Sequence, residues 1–438
     1  MRLSRGGQRG LSLIARLHAV CAAVLAVGLL TLCPTAAPCG ETDEVIRFYQ
    51  ARVATDPDDP AIYNRLGGAY VQKARESGDV AYYALAEAAF RKVLDLGARG
   101  GVAASALASL GVVAIAKHQF AEAIAHAEQA VSAEPGAVAA YAVVGDAYLE
   151  VGEYDKAAVA YGKMRSLRGP RYPHARLAYL AFVRGDPKEA IAGMRRASGA
   201  ARDGNAQREQ VAWSRVQLGD MLFEAGGLAE AEAAYREALA TFPGYHPAHA
   251  GRGRIEAARG RHDEAIAAYQ RALGVIPLPQ YATALGDVYT RLGRAHEAKR
   301  QYELVEYIGR VTALNRMMYN RELALFYADH DMKPAEALAL AEKELEIRRD
   351  IYTYDVLAWA LLKNERPTDA MDAMRRALRL GTRDARLAFH AGMISLRLGD
   401  RAMAKEHLGR ALAINPHFHL LHADRARQTL ASLDAGRH

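Results

Sequence analysis

Apolar residues return every three to four positions through HDEAIAAYQRALGVIP (262–277), the period of one face of an α-helix. Alanine holds much of that face. Ala265, Ala268 and Ala272 share it with Ile266, Tyr269 and Leu273, and Pro277 closes the segment. Residues 120–135, 228–243 and 401–416 keep the spacing: an Ala, often a larger residue four on, an Ala three later and a Pro five later. A second helical pattern lies upstream. In YAVVGDAY (141–148), ATALGDVY (282–289) and YNRLGGAY (63–70) an apolar residue precedes Gly, and Tyr follows three positions after it. The pattern predicts an all-α chain of paired helices.

Small residues in the first helix of each pair mark a period. Gly67, Gly111, Gly145, Ala178, Gly219, Gly253, Gly286, Ala324, Ala358 and Gly392 are separated by 44, 34, 33, 41, 34, 33, 38, 34 and 34 residues. Small side chains there let helix backbones approach, and a larger neighbour such as Tyr235 or Tyr269 fills the remaining hole. One such pair cannot cover its own apolar face, so stacking has to supply the core. Gly152, Gly185, Gly226, Gly260, Gly293 and Gly399 fall where first helices end, as expected of left-handed C′ residues. Pro135, Pro243, Pro277 and Pro416 stop second helices.

Together these features resemble the tetratricopeptide repeat, a 34-residue helix–turn–helix unit with the pattern W-x2-L-G-x2-Y…A-x3-F…A-x4-P. The resemblance implies an α-solenoid, a superhelix of about ten repeats following residue 40. Units 1–4 are expected in 41–203, units 5–10 in 204–418, and a capping helix and tail in 419–438. KARESGDVAYY (73–83) is expected to lengthen the first unit. Polar ARDGNAQREQ (201–210) is the expected break between units 4 and 5, and RVTALNRMMYN (310–320) joins units 7 and 8.

The resemblance also implies a concave groove, lined by the second, fifth, ninth and twelfth motif positions. Those positions hold Tyr172, Tyr179 and Phe182 in unit 4, Trp213, Asp220 and Phe223 in unit 5, and Tyr352, Trp359 and Phe389 in units 9 and 10. Such aromatics either anchor a bound segment, as binding hot spots do, or pack within the wall. Asp146, Asp220 and Asp287 occupy the ninth position, where chaperone-binding relatives often place Asn to hold a peptide carboxylate. That departure argues against recognition of an acidic C-terminal peptide.

Composition is globular, with 51% hydrophobic and 24% charged residues over 438 positions, and the net charge is +7. Four of those charges, Arg2, Arg5, Arg9 and Arg16, lie in residues 1–40, which hold no acid, leaving +3 for the rest. No run of five like charges follows, so no nucleic-acid partner is expected. In residues 1–40 a basic start leads into AVCAAVLAVGLLTLC (19–33) and then PTAAPCG (34–40), the order of a signal peptide. The apolar run falls short of the roughly 20 residues of a spanning helix. Cleavage and export to a bacterial periplasm or envelope are expected. Retention of the segment as an anchor, or lipidation, are the alternatives and the only routes to membrane contact. Cys21, Cys33 and Cys39 all lie there, which leaves the exported body without disulfides or a cysteine metal site.

Residues for chemistry are few. The chain has no G-x-x-x-x-G-K-[ST], G-x-S-x-G or H-E-x-x-H, and GRGRIEAARG (251–260) lies inside a repeat with no strand before it. His417, His419 and His422 are spaced by two and three, which do not converge on a helix, so they read as polar residues at the last helix boundary. No catalysis, cofactor or metal is expected. The sequence reads as an exported scaffold or adaptor that binds a protein or peptide segment in its groove to assemble an envelope complex. The alternative is an accessory protein for solute or metal handling at the envelope.

Overall fold

The computed structural model describes residues 41–169, 174–203, 206–314 and 320–435. Residues 1–40, where an export signal is expected and all three cysteines lie, and Tyr172 are outside the described residues. Every regular element among the described residues is an α-helix. Glu41–Thr55 comes first, ten helix pairs follow, and His422–Ala435 comes last. Units 1 to 5 are Pro60–Ser77 with Ala81–Asp95, Gly100–Ala116 with Phe120–Ala133, Val138–Glu150 with Tyr154–Arg168, His174–Val183 with Pro187–Asp203, and Arg208–Glu224 with Leu228–Thr241. Units 6 to 10 are His246–Ala258 with His262–Val275, Pro279–Arg291 with Ala295–Leu314, Asn320–Asp329 with Pro334–Ile347, Ile351–Lys363 with Pro367–Ala377, and Ala385–Arg397 with Arg401–Ile414. The repeat count matches the period of small residues, and the all-α solenoid is the observed architecture.

Residues 46–438 form one compact unit. Residues 41–45, the described part of the other, are the first turn of Glu41–Thr55, where Glu41, Asp43 and Glu44 complement the helix dipole.

Within 46–438 each helix packs on its neighbours in sequence. The alanines of the repeating pattern lie at those contacts: Ala265 and Ala272 are fully buried beside Tyr269. That ring crosses Gly253 of the preceding helix, where a Cβ would come within 2.8 Å of it. Tyr235 crosses Gly219 in the same way, at 2.6 Å. No side chain larger than hydrogen fits at such a crossing without moving the ring.

Irregular segments are absorbed as helix length. Pro60–Ser77 has 18 residues where Val138–Glu150 has 13, and Ala295–Leu314 has 20. Pro187–Asp203 packs onto Arg208–Glu224, so helix contacts continue past residues 204–205. The final helix places Ala426 and Leu433 in the same core as Leu408 and Ala411.

The stack also touches itself. Backbone N–H of Arg349 donates to the Val151 carbonyl (3.3 Å) and that of Ile351 to Tyr154 Oη (3.0 Å). The Thr382 hydroxyl donates to the Val183 carbonyl, and Asn415 Nδ2 to the Phe223 carbonyl at 2.8 Å. The turns inside units 3, 4 and 5 thereby meet the ends of units 8, 9 and 10, five repeats further on. Gly152, in the left-handed region at φ 83°, both ends a helix and makes this approach. A Cβ there would sit 2.6 Å from the Arg349 carbonyl oxygen. Arg348 is buried in the seam, with Nε 2.5 Å from Glu344 Oε1 and Nη1 2.9 Å from Glu150 Oε2.

Candidate functional site

In three units the glycine that admits a tyrosine ring is followed by aspartate, and this pair builds the inner wall. Tyr161 Oη donates to Asp146 at 2.9 Å, Tyr235 Oη to Asp220 at 2.7 Å and Tyr302 Oη to Asp287 at 3.0 Å. Burying the ring strands its hydroxyl unless an acceptor is supplied, and the aspartate supplies it. Burial, and then the Asp146 charge, push the Tyr161 phenol far above its ordinary range. A basic residue of the next repeat completes each junction, from its first helix for Arg176 and Arg254 and from just past it for His330. Arg176 grips Asp146 with Nε and Nη2 at 2.7 and 2.8 Å, Arg254 bonds Asp220, and His330 Nε2 lies 2.7 Å from Asp287. The ninth-position acids are therefore structural ties between neighbouring repeats.

The inner faces of the first helices of units 4 to 10, with residues 416–427, line a cavity of about 690 Å³. Phe182, Phe223 and Tyr352 line it. Asp220 is not among the cavity-lining residues; it bonds Arg254, which lines the cavity. Tyr179 is half-buried and packs among the helices of units 3, 4 and 9. Trp359 and Phe389 are fully buried and belong to the wall. Trp213 is 37% exposed and is not among the cavity-lining residues.

Charged side chains join the aromatics. The Arg254 guanidinium lies 4.7 Å above the Phe223 ring and reaches Glu224 at 3.3 Å. Burial and the Asp384 charge raise the pKa of Glu224, against the pull of Arg254. Asp384 and Arg386 add one acid and one base from unit 10. Arg254 and Arg386 stand at the ninth position of unit 6 and the second of unit 10, groove positions by the resemblance, whereas Glu224 and Asp384 stand off them. The signal for Arg176 and Arg254 was in the chain, since each follows a ninth-position aspartate by about one repeat, 30 and 34 residues on.

At the end of the cavity beside units 7 and 8, histidines gather. The His419 and His422 rings stack with centroids 4.2 Å apart. His422 Nδ1 lies 3.8 Å from Asp329 Oδ1, His390 Nε2 lies 3.9 Å from the same oxygen, and His419 Nε2 lies 3.6 Å from Asp287 Oδ2. Trp359 Nε1 donates to Asp329 at 2.8 Å, and His390 Nδ1 lies 2.7 Å from Asp355. Burial, reinforced by His419 and His390, holds the His422 pKa well below the usual imidazole value. For His330 burial is the largest influence and opposes the charge, but the hydrogen bond and charge of Asp287, the Phe326 carbonyl and Asp329 together outweigh it and the pKa rises. His417 lines the cavity without joining this group. Spacing along the chain could not reveal the cluster, because Asp329 comes from unit 8.

Family models described as tetratricopeptide repeat match residues 109–165 and 216–282, 173–243, and 385–418. Among solved structures the chain is similar to the APC/C hetero-tetramer Cut9–Hcn1, with 16% identity over 96% of this chain and 94% of that one, TM-score 0.34. It is similar to a tetratricopeptide repeat protein from Parabacteroides merdae, with 17% identity over 60% and 97%, TM-score 0.35. Yeast Tom70 aligns with 13% identity over 90% and 93%, TM-score 0.39. No curated protein matches the sequence.

Proposed function

The chain belongs to the tetratricopeptide repeat family of protein-interaction scaffolds, and from that premise we propose that it is an exported scaffold whose interior cavity takes a short extended segment of a partner protein. The cavity carries this reading. Its volume of about 690 Å³ falls in the range of pockets that enclose a ligand. A space of this size holds a few residues of a partner segment. Phe182, Phe223 and Tyr352 offer apolar contact, while Arg254 with Arg386 and Glu224 with Asp384 offer both charges. The favoured ligand is an apolar anchor flanked by residues of both signs. A preformed wall loses little freedom on binding, which favours affinity. Export of the mature chain and assembly of an envelope complex complete the proposal, resting on the composition of residues 1–40.

The test is site-specific photo-crosslinking in the native host, with the probe at Tyr352 in the cavity or at the exposed Val159 outside it. A discrete envelope-protein adduct from position 352, absent from position 159, is expected. Identical adduct patterns from both positions would overturn the cavity as the binding site.

A further inference from the structure

Asp329 Oδ1 faces two imidazole nitrogens that have no hydrogen-bond partner. His422 is 3% exposed and its Nδ1 is unpaired; His390 is 0% exposed and its Nε2 is unpaired. Their separations from Asp329 Oδ1, 3.8 and 3.9 Å, are too long for hydrogen bonds. Asp355 lies 2.7 Å from His390 Nδ1, placing the proton on that nitrogen and leaving the Nε2 lone pair towards Asp329. A carboxylate holding the far nitrogen in this way is the usual support of a metal-binding imidazole. A lone pair and a carboxylate oxygen facing each other away from water are costly unless a proton or a metal cation lies between them.

The spacing fits a small cation. Bonds of about 2.0–2.2 Å to one ion leave its ligand atoms about 3–4 Å apart. His419 supplies a third donor, and the ligand atoms of Asp329, His419 and His422 all lie within 4.8 Å of one another. The His419 ring stacks on His422 and lines the cavity, and coordination exchanges the bonds its Nδ1 accepts from the backbone N–H groups of Leu421 and His422 (3.2 and 3.3 Å) for the ion. We propose that Asp329, His419 and His422 bind one divalent transition-metal ion of the zinc class, with His390 directed at the same carboxylate. Imidazole with carboxylate selects such ions over magnesium or calcium, which prefer all-oxygen shells. Three protein ligands leave a position open towards the cavity, where a carboxylate or imidazole of an occupant can complete the sphere. The ion also ties residues 419–422 to unit 8, so binding stabilises the attachment of the final helix. The inference stands without the peptide reading above.

Zinc chloride titrated calorimetrically into the chelator-treated full chain tests it. One zinc per chain is expected, with a raised Tm. His419→Gln and Asp329→Asn should each weaken binding at least tenfold, while His417→Gln, which alters a cavity residue outside the set, should not. A wild-type measurement guards against misfolded variants: zinc should slow hydrogen exchange in residues 320–329 and 419–435. Absence of stoichiometric binding, affinities unchanged in both ligand variants, or protection confined to other units would overturn the site.

Discussion

The junctions at Asp220 and Asp287 begin with the same parts and end differently. Gly219 and Gly286 admit the rings of Tyr235 and Tyr302, whose hydroxyls donate to the following aspartate. At Asp220 the last partner is Arg254, a permanently charged fork that reaches Glu224 as well. At Asp287 it is His330, whose two nitrogens are taken by Asp287 and the Phe326 carbonyl at 2.7 Å each. A guanidinium satisfies its surroundings and closes the junction. An imidazole satisfies less, and the second oxygen of Asp287 faces His419 and the cavity. A basic partner drawn from a different place in the next repeat, one residue past Gly253 in one case and six past Ala324 in the other, thus separates a closed junction from one that faces the cavity.

The shared frame is the most demanding part to disturb. Gly219→Leu and Gly286→Leu should each cost about 3 kcal/mol, because the new side chain must displace a packed ring. Urea unfolding with hydrogen exchange would show losses centred on units 5–6 and 7–8 respectively. Tolerance at one glycine and collapse at the other would break the equivalence of the two junctions.

His246 sharpens the comparison as a buried imidazole that faces a neutral phenol, Tyr281, at 2.8 Å. Burial, with a small push from His249, lowers its pKa from 6.5 to about 4. The unfolded chain therefore binds the proton more readily. The corresponding stability is present above pH 6.5 and is lost as pH falls towards 4. The loss approaches about 3 kcal/mol at that end, at about 1.4 kcal/mol per unit. His246→Gln should flatten this part of a stability–pH curve relative to the unaltered chain; an unchanged slope would mean that His246 is hydrated or already charged.

Giving the Asp220 junction an imidazole in place of its guanidinium has a smaller effect. Arg254→His should cost about 2 kcal/mol near pH 8, where the imidazole is neutral and two partly exposed carboxylates lose their partner. Part of that should return near pH 5.5 as the new imidazole charges beside Asp220, measured as the difference from the unaltered chain in chemical denaturation. Equal losses at both pH values would show that shape rather than charge holds the junction. Smallest is Trp213→Ala, about 1 kcal/mol or less, because a side chain exposed to this degree contributes little packing. A large fall in Tm would place Trp213 with the wall aromatics Trp359 and Phe389.

The sequence by itself determined the helix pairs, their number and their terminators. Those signals are local: a 3.6-residue apolar period, a small residue per repeat, and glycine or proline at the ends. It even held the Gly219–Tyr235 crossing, which the small-residue pattern anticipates. The side of the wall each aromatic occupies was not legible, because motif position sets direction only within one repeat. Trp213 is 37% exposed and off the cavity, while Tyr352, at the same second position of unit 9, lines it. Only the tertiary structure brought units 3 to 5 against units 8 to 10, and Asp329 to His419 and His422. The reason is cumulative. Each repeat turns slightly on the last, and only the summed rotation decides which distant repeats, and which side chains, meet.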